Sequence, residues 1–136
     1  MRSALVLCVL ALVLAACGSS APRDSAEEFK GPERAVAAAV EAMETAARDD
    51  DAAAMCTKLL SERLLSALER QGTNCTTAVR EAFEDASSKE LTVEDVTISG
   101  DRATAKVTSG SGSSEKSDTL ELERAGSAWK ISSLRS

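Results

Sequence analysis

Apolar positions along this chain follow three successive patterns. From Ala4 to Ala16 they are unbroken, a run of Ala, Leu, Val and one Cys. Between residues 32 and 86 they recur every three or four places, and from Leu91 onward they alternate. The second pattern is that of helices with one buried side, and the third that of strands with one buried face.

In the helical part, Ala35, Val36, Ala39, Val40, Met43, Ala46 and Ala47 share one side of a helix predicted over 32–48. Gly31-Pro32 marks its start, where proline's missing donor does no harm. Asp49-Asp50-Asp51 interrupts it, and the Asp51 carboxylate is placed to cap the next helix. A calcium loop alternates its oxygen ligands and closes with a glutamate, a spacing the triplet lacks. Ala52, Cys56, Leu59 and Leu60 give a short second helix, and its row continues through Leu64 and Leu68 past a break at Ser61. Gly72 ends this segment. Asn74 then caps a third helix in which Cys75, Val79 and Phe83 stack four apart.

In the strand part, Leu91 and Val93 have one parity and Val96 and Ile98 the other. A bulge or turn near Glu94-Asp95 is therefore needed for all four to face inward. Gly100-Asp101 turns the chain, after which Ala103, Ala105 and Val107 alternate with polar residues. Residues 109–117, rich in Ser and Gly, read as a mobile hairpin tip. Leu120, Leu122, Trp129 and Ile131 complete the inner face around a turn at Ala125-Gly126-Ser127, and no acid is expected on an inward position. Thr104, Lys106, Thr119, Glu121, Glu123, Lys130 and Ser132 are expected on the outer face. The architecture that results is α+β, with N-terminal helices packed on one face of a curved four-stranded antiparallel sheet.

The first apolar run follows Met1-Arg2-Ser3, with one positive charge, and closes on Leu14-Ala15-Ala16-Cys17. That is the anatomy of a secretory signal. Thirteen residues at about 1.5 Å each cover about 20 Å of a roughly 30 Å hydrocarbon core, too short for a transmembrane helix. The closing stretch resembles the lipobox of bacterial lipoproteins, over the first seventeen residues. The resemblance implies a signal peptide over 1–16 that is removed, and a Cys17 carrying diacylglycerol and acyl chains such as palmitate. It also implies a location on the extracytoplasmic face of the cell membrane. An ordinary signal peptide, with Cys17 merely near the cut, is the competing reading. Residues 17–31 then form the lipidated cysteine and a flexible tether, and residues 32–136 one domain.

Removing 1–16 also sorts the cysteines. Cys8 leaves and Cys17 becomes a thioether, so Cys56 and Cys75 remain as a pair. An exported chain favours one disulfide between them, and two buried thiols are the alternative. Closing a loop of about twenty residues restricts the unfolded chain by roughly 3 kcal/mol. Without histidine, two thiolates cannot complete a zinc site, so no metal is expected.

Charge and aromatic content narrow the partners. Leaving out Arg2 takes 16 basic residues to 15 against 22 acidic ones, a balance of −7. Nucleic acid and anionic membrane surfaces require a basic face and are not expected as partners. Phe29, Phe83 and Trp129 are the only aromatics, too few for a stacking platform.

The helical start running into Arg48-Asp49-Asp50-Asp51-Ala52, the turn Ser99-Gly100-Asp101-Arg102-Ala103, and the closing hairpin Leu120-Glu121-Leu122-Glu123-Arg124-Ala125-Gly126-Ser127-Ala128-Trp129-Lys130-Ile131 together resemble the nuclear transport factor 2-like, or cystatin-like, superfamily. The resemblance covers residues 32 to 134 and implies a sheet wrapped as a cone around the long helix. It also implies an inner face, Ala103, Ala105, Val107, Leu120, Leu122, Trp129 and Ile131, that lines a pocket in members with a cavity. Isomerases of the superfamily pair an acid with a tyrosine, and its cyclases use Asp and His. This chain has neither tyrosine nor histidine. The expectation is a non-catalytic, monomeric, membrane-anchored module, without cofactor, that serves an envelope protein or a small apolar ligand. Two alternatives stand beside it: an isomerase- or cyclase-type enzyme with an acid site drawn from helices or loops, and a structural accessory working by assembly.

Overall fold

The computed structural model describes residues 25–135. Helix α1 (Pro32–Arg48) occupies the predicted range, with Gly31 before it and the proline in its first turn. Its buried row is Val36, Val40 and Glu44, with Ala37 beside it. The stripe is thus rotated slightly from the predicted one: Ala35 is exposed and Ala37 is buried. Asp51 caps α2 (Ala52–Ala54) by accepting the Ala54 N–H at 2.8 Å. A π-helical turn, Met55–Leu59, follows directly.

Ser61 breaks the chain where expected and caps α3 (Glu62–Arg70) by accepting the Leu64 N–H at 3.2 Å. Asn74 caps α4 (Cys75–Asp85) through the Thr77 N–H at 3.3 Å. The helical half therefore holds four helices rather than three, because the second predicted segment is split by the π-helical turn and the Ser61 break.

Four strands, β1 (Leu91–Ser99), β2 (Arg102–Ser109), β3 (Lys116–Ala125) and β4 (Ala128–Arg135), form one antiparallel sheet in sequence order. The register of β1 against β2 slips between Val93 and Asp95, leaving Glu94 as the extra residue. This bulge is what turns both Val93 and Val96 into the core, where each is buried. A second slip lies between Glu121 and Leu122 of β3, opposite an extra Ser132 on β4. Ser132 is consequently buried, its hydroxyl donating to the Glu121 carbonyl at 3.1 Å, and does not lie on the outer face as the alternation predicted. The hairpin tip closes through a short 3-10 turn over Gly112–Ser114. Gly110 sits there at φ 79°, and a Cβ on it would meet the Ser114 carbonyl oxygen at 2.7 Å.

The main core joins Val36, Ala37 and Val40 of α1 to Val93, Val96, Ala103, Ala105, Leu122 and Trp129 of the sheet. A smaller core, Ala46, Ala52, Met55, Val79 and Phe83, ties the end of α1 to α2 and α4. The fold is α+β, a curved meander with helices on one face, the cone-like arrangement that the superfamily resemblance implies.

The body extends further toward the N-terminus than residue 32. Ser25–Glu28 form a 3-10 turn in which Ser25 and Ala26 are buried. The Ser25 hydroxyl accepts the Val93 N–H at 3.3 Å, and the Ala26 N–H donates to Glu41 at 2.5 Å. Polar composition alone reads as a tether here; the two small residues fit under α1 and β1 because the Ser25 hydroxyl and the Ala26 backbone N–H find partners there.

Candidate functional site

A cleft of about 700 Å³ opens between the α3–α4 pair and the end of the sheet formed by the start of β1, the end of β2 and the start of β3. It exists because α4 packs on α2, the π-helical turn and α3, while α1, with Ala26 and Phe29, fills the other end of the cone. The helical wall presents Leu64 and Leu68 from α3, and Val79 and Phe83 from α4. Helix α3 buries no residue completely, so its two leucines stand half-covered over the opening.

The predicted inner-face residues divide between core and cleft. Val107, Leu120 and Ile131 line the cleft. Ala103, Ala105, Leu122 and Trp129 are instead packed into the main core with Val36 and Val40, and they do not line the cleft. Trp129 carries the Arg124 guanidinium over its ring at 4.5 Å, an edge contact away from the cleft. The pocket therefore lies at the end of the cone opposite to the tryptophan. Its helical wall was legible in the rows Leu60-Leu64-Leu68 and Cys75-Val79-Phe83, which amphipathic spacing alone assigns to a core.

Cys56 and Cys75 are bonded, with Cα atoms 6.1 Å apart. The bond fastens the π-helical turn to the start of α4 and so holds the helical wall in place. Cys17 lies outside the described residues.

One acid departs from the expectation that none occupies an inward position of the sheet, and a second is buried on α1. Asp118 shares the parity of Leu120 and Leu122 and pairs across the sheet with buried Val107, so it lies on the inner face and lines the cleft. Lys116 and Ser109 continue the same two inner rows outward, and both line the mouth. The inner face thus changes from apolar to polar where the sheet leaves the cover of α1. The sign of this change was present in the alternation itself, two positions beyond the last apolar residue.

Glu44 is the second. It is buried on α1, four residues after Val40, and its carboxylate is 3.7 Å from Arg48. Burial pushes its carboxyl above the usual 4.5, opposed by Arg48 and by a hydrogen bond from the Leu91 backbone, and reinforced by Glu41 and Glu90. It does not line the cleft. A shallower depression of about 400 Å³ between α1 and the π-helical turn is bordered by Asp49, Asp51 and Lys58.

At the rim, Lys89 reaches Asp50 in an ion pair and sits 5.7 Å from the centre of the Phe83 ring. Asp50 holds a left-handed backbone, φ 54°, at the turn out of α1. The aspartate triplet is thereby used locally, Asp51 as a cap and Asp50 as the lysine's partner. No helix among the described residues is long and apolar enough to cross a membrane.

No protein-family model matches the chain, and no curated protein matches it. Among solved structures it is similar to a SEC-C motif containing protein from Rhodopseudomonas palustris, with 19% identity, TM-score 0.48, and coverage of 84% of this chain and 81% of that one. It is also similar to a de novo designed NTF2 fold protein, NT-9, with 16% identity, TM-score 0.46, and coverage of 74% and 81% respectively.

Proposed function

We propose that this protein is a non-catalytic module, held by an acylated Cys17 on the extracytoplasmic face of the membrane, whose cleft binds an apolar ligand. The observation that carries the reading is the wall of half-covered Leu64 and Leu68 and buried Phe83 facing Val107, Leu120 and Ile131 across about 700 Å³. That size is typical of small-molecule sites, about 300–1,000 Å³. The signal-like residues 1–16 and the Cys17 that follows support the location, and the Cys56–Cys75 bond is the kind that persists outside the cytoplasm. The reading includes a monomer, since the outer face carries Thr104, Lys106, Glu121 and Glu123 rather than an apolar patch.

Acid chemistry of the isomerase or cyclase type would place a carboxyl in the apolar floor of the cleft. Here Asp118 is half-buried beside Val107, where the apolar floor gives way to the mouth, Asp85 stands at the rim, and Glu44 lies elsewhere. The non-catalytic reading rests on that distribution.

Native mass spectrometry of the chain from residue 17 onward, carrying Cys17→Ser and recovered from an envelope extract, tests the binding role. A retained apolar mass that a Leu64→Asp variant loses is the expected result. A protein that emerges empty from every extract, while folded, argues against it. Membrane fractionation tests the anchor: the unsubstituted chain sediments with membranes and Cys17→Ser does not.

A further inference from the structure

The cleft has two chemically distinct parts. Its floor is apolar, and its mouth carries charges of both signs on the inner face of the sheet. Lys116 and Asp118 stand two residues apart on the same face of β3, beside Ser109 of β2. Neither Lys116 nor Asp118 makes an ion pair among the described residues. Across the mouth stand Asp85, the last residue of α4, and Lys89 of the segment after it, the latter already held by Asp50. With Asp50 counted, the mouth carries two lysines against three aspartates, charges of both signs within a strongly acidic chain.

Volume limits what the floor can take. If a methylene occupies about the roughly 30 Å³ that a water takes in the liquid, a sixteen-carbon chain needs about 500 Å³ and two such chains about 1,000 Å³. One chain fits the cleft of about 700 Å³ and two do not. Its polar end must then lie at the mouth, where burial without a partner is avoided.

We propose that the cleft takes a single-chain amphiphile with a zwitterionic head group, its chain on the floor and its head between Lys116 and Asp118. The proposal rests on the reading that the cleft binds an apolar ligand. A phosphate or carboxylate of the head meets Lys116, and an ammonium meets Asp118. A purely anionic head is opposed by the surplus of carboxylates on the whole chain, and an uncharged head meets neither charge and leaves both to water.

The test compares three probes sharing a sixteen-carbon chain, each below its micelle concentration: lysophosphatidylethanolamine, monopalmitoylglycerol and palmitate. Affinities are measured on the chain from residue 17 onward with Cys17→Ser. The zwitterion is expected to bind about tenfold tighter than the glycerol ester, the scale of one or two charge-assisted contacts. The double substitution Lys116→Gln and Asp118→Asn is expected to abolish that preference, the zwitterion and the glycerol ester then binding within about twofold of each other. Equal binding of all three probes, or tightest binding of palmitate, overturns the head-group assignment and leaves the apolar-ligand reading standing. Failure of the folded protein to bind any probe overturns both. The comparison of probes on the unsubstituted pair is decisive even if the double variant does not fold.

Discussion

The Ser61 N–H donates to the Ile131 carbonyl at 2.8 Å, so the residue that caps α3 is also fastened to the edge of β4. Ser61 is almost fully buried, and Leu60 forms a parallel bridge with Ile131 beside it. Helix α3, which buries no residue of its own completely, hangs from this point over the cleft. Ser61→Ala removes only the cap and is expected to lower stability by about 1 kcal/mol. Ser61→Pro removes the N–H as well, leaves the Ile131 carbonyl unpaired, and is expected to cost about 1–3 kcal/mol for that group alone. Urea midpoints of the two variants check the order; equal effects would show that the bond to the sheet contributes nothing.

The Cys56–Cys75 bond closes a loop of sequence separation 19 that contains all of α3. Its removal by Cys56→Ser with Cys75→Ser should lower stability by about 3 kcal/mol through the freedom returned to the unfolded chain. Because the bond holds α4 to the π-helical turn, amide exchange in α4 should accelerate more than in β2 or β3. Uniform acceleration across the sheet would show instead that the bond supports the whole cone.

Glu44 makes stability depend on pH in the direction opposite to a salt-bridged carboxylate. Its folded carboxyl titrates above the unfolded value, so the folded state holds this proton more tightly. The stability it contributes is full below the usual 4.5 and is lost as pH rises through the raised folded value. Arg48, which opposes the shift, is itself more than a third exposed, and Glu41 and Glu90 add to it. Glu44→Gln should therefore match the unsubstituted protein at about pH 4 and equal or exceed it at about pH 7. Urea titrations at the two pH values check this, and a variant that loses stability only at the higher pH would reverse the assignment.

Asp50 adopts φ 54°, a conformation that favours glycine and is tolerated by aspartate. Asp50→Ala should cost about 1 kcal/mol, since Cβ strain is no longer offset by a local side-chain contact. Asp50→Gly should cost less despite losing the pair with Lys89, because that pair is largely exposed on the aspartate side. Thermal midpoints of both variants decide between backbone and ion pair; a larger loss for glycine would assign the site to the pair.

Much of this fold was legible from spacing. The α1 range, the Asp51 and Asn74 caps, the break at Ser61 and the bulge beside Asp95 each follow from local chemistry that the tertiary structure did not override. The cleft was less legible, for a physical reason. Periodicity tells which side of an element is covered but not by what. Leu64, Phe83 and Val107 therefore have the same signature whether they meet each other or face a gap. Ser132 escaped because a bulge shifts parity, and Ser25 because a buried small polar residue resembles a tether until its partner, the Val93 N–H, is known. Asp118 and Glu44 were readable as members of the Leu120 and Val40 rows, where an ionisable residue breaks an apolar series.

The central claim is that the space between α3–α4 and the sheet is a binding cleft. Its most direct test is a titration of the isotope-labelled chain from residue 17 onward, with Cys17→Ser, using monopalmitoylglycerol and following the backbone amides by NMR. Saturable shifts concentrated at Leu64, Leu68, Val79, Phe83, Val107 and Leu120 are the predicted result. Shifts absent at saturating probe, or confined to residues around Trp129 at the other end of the cone, would contradict it.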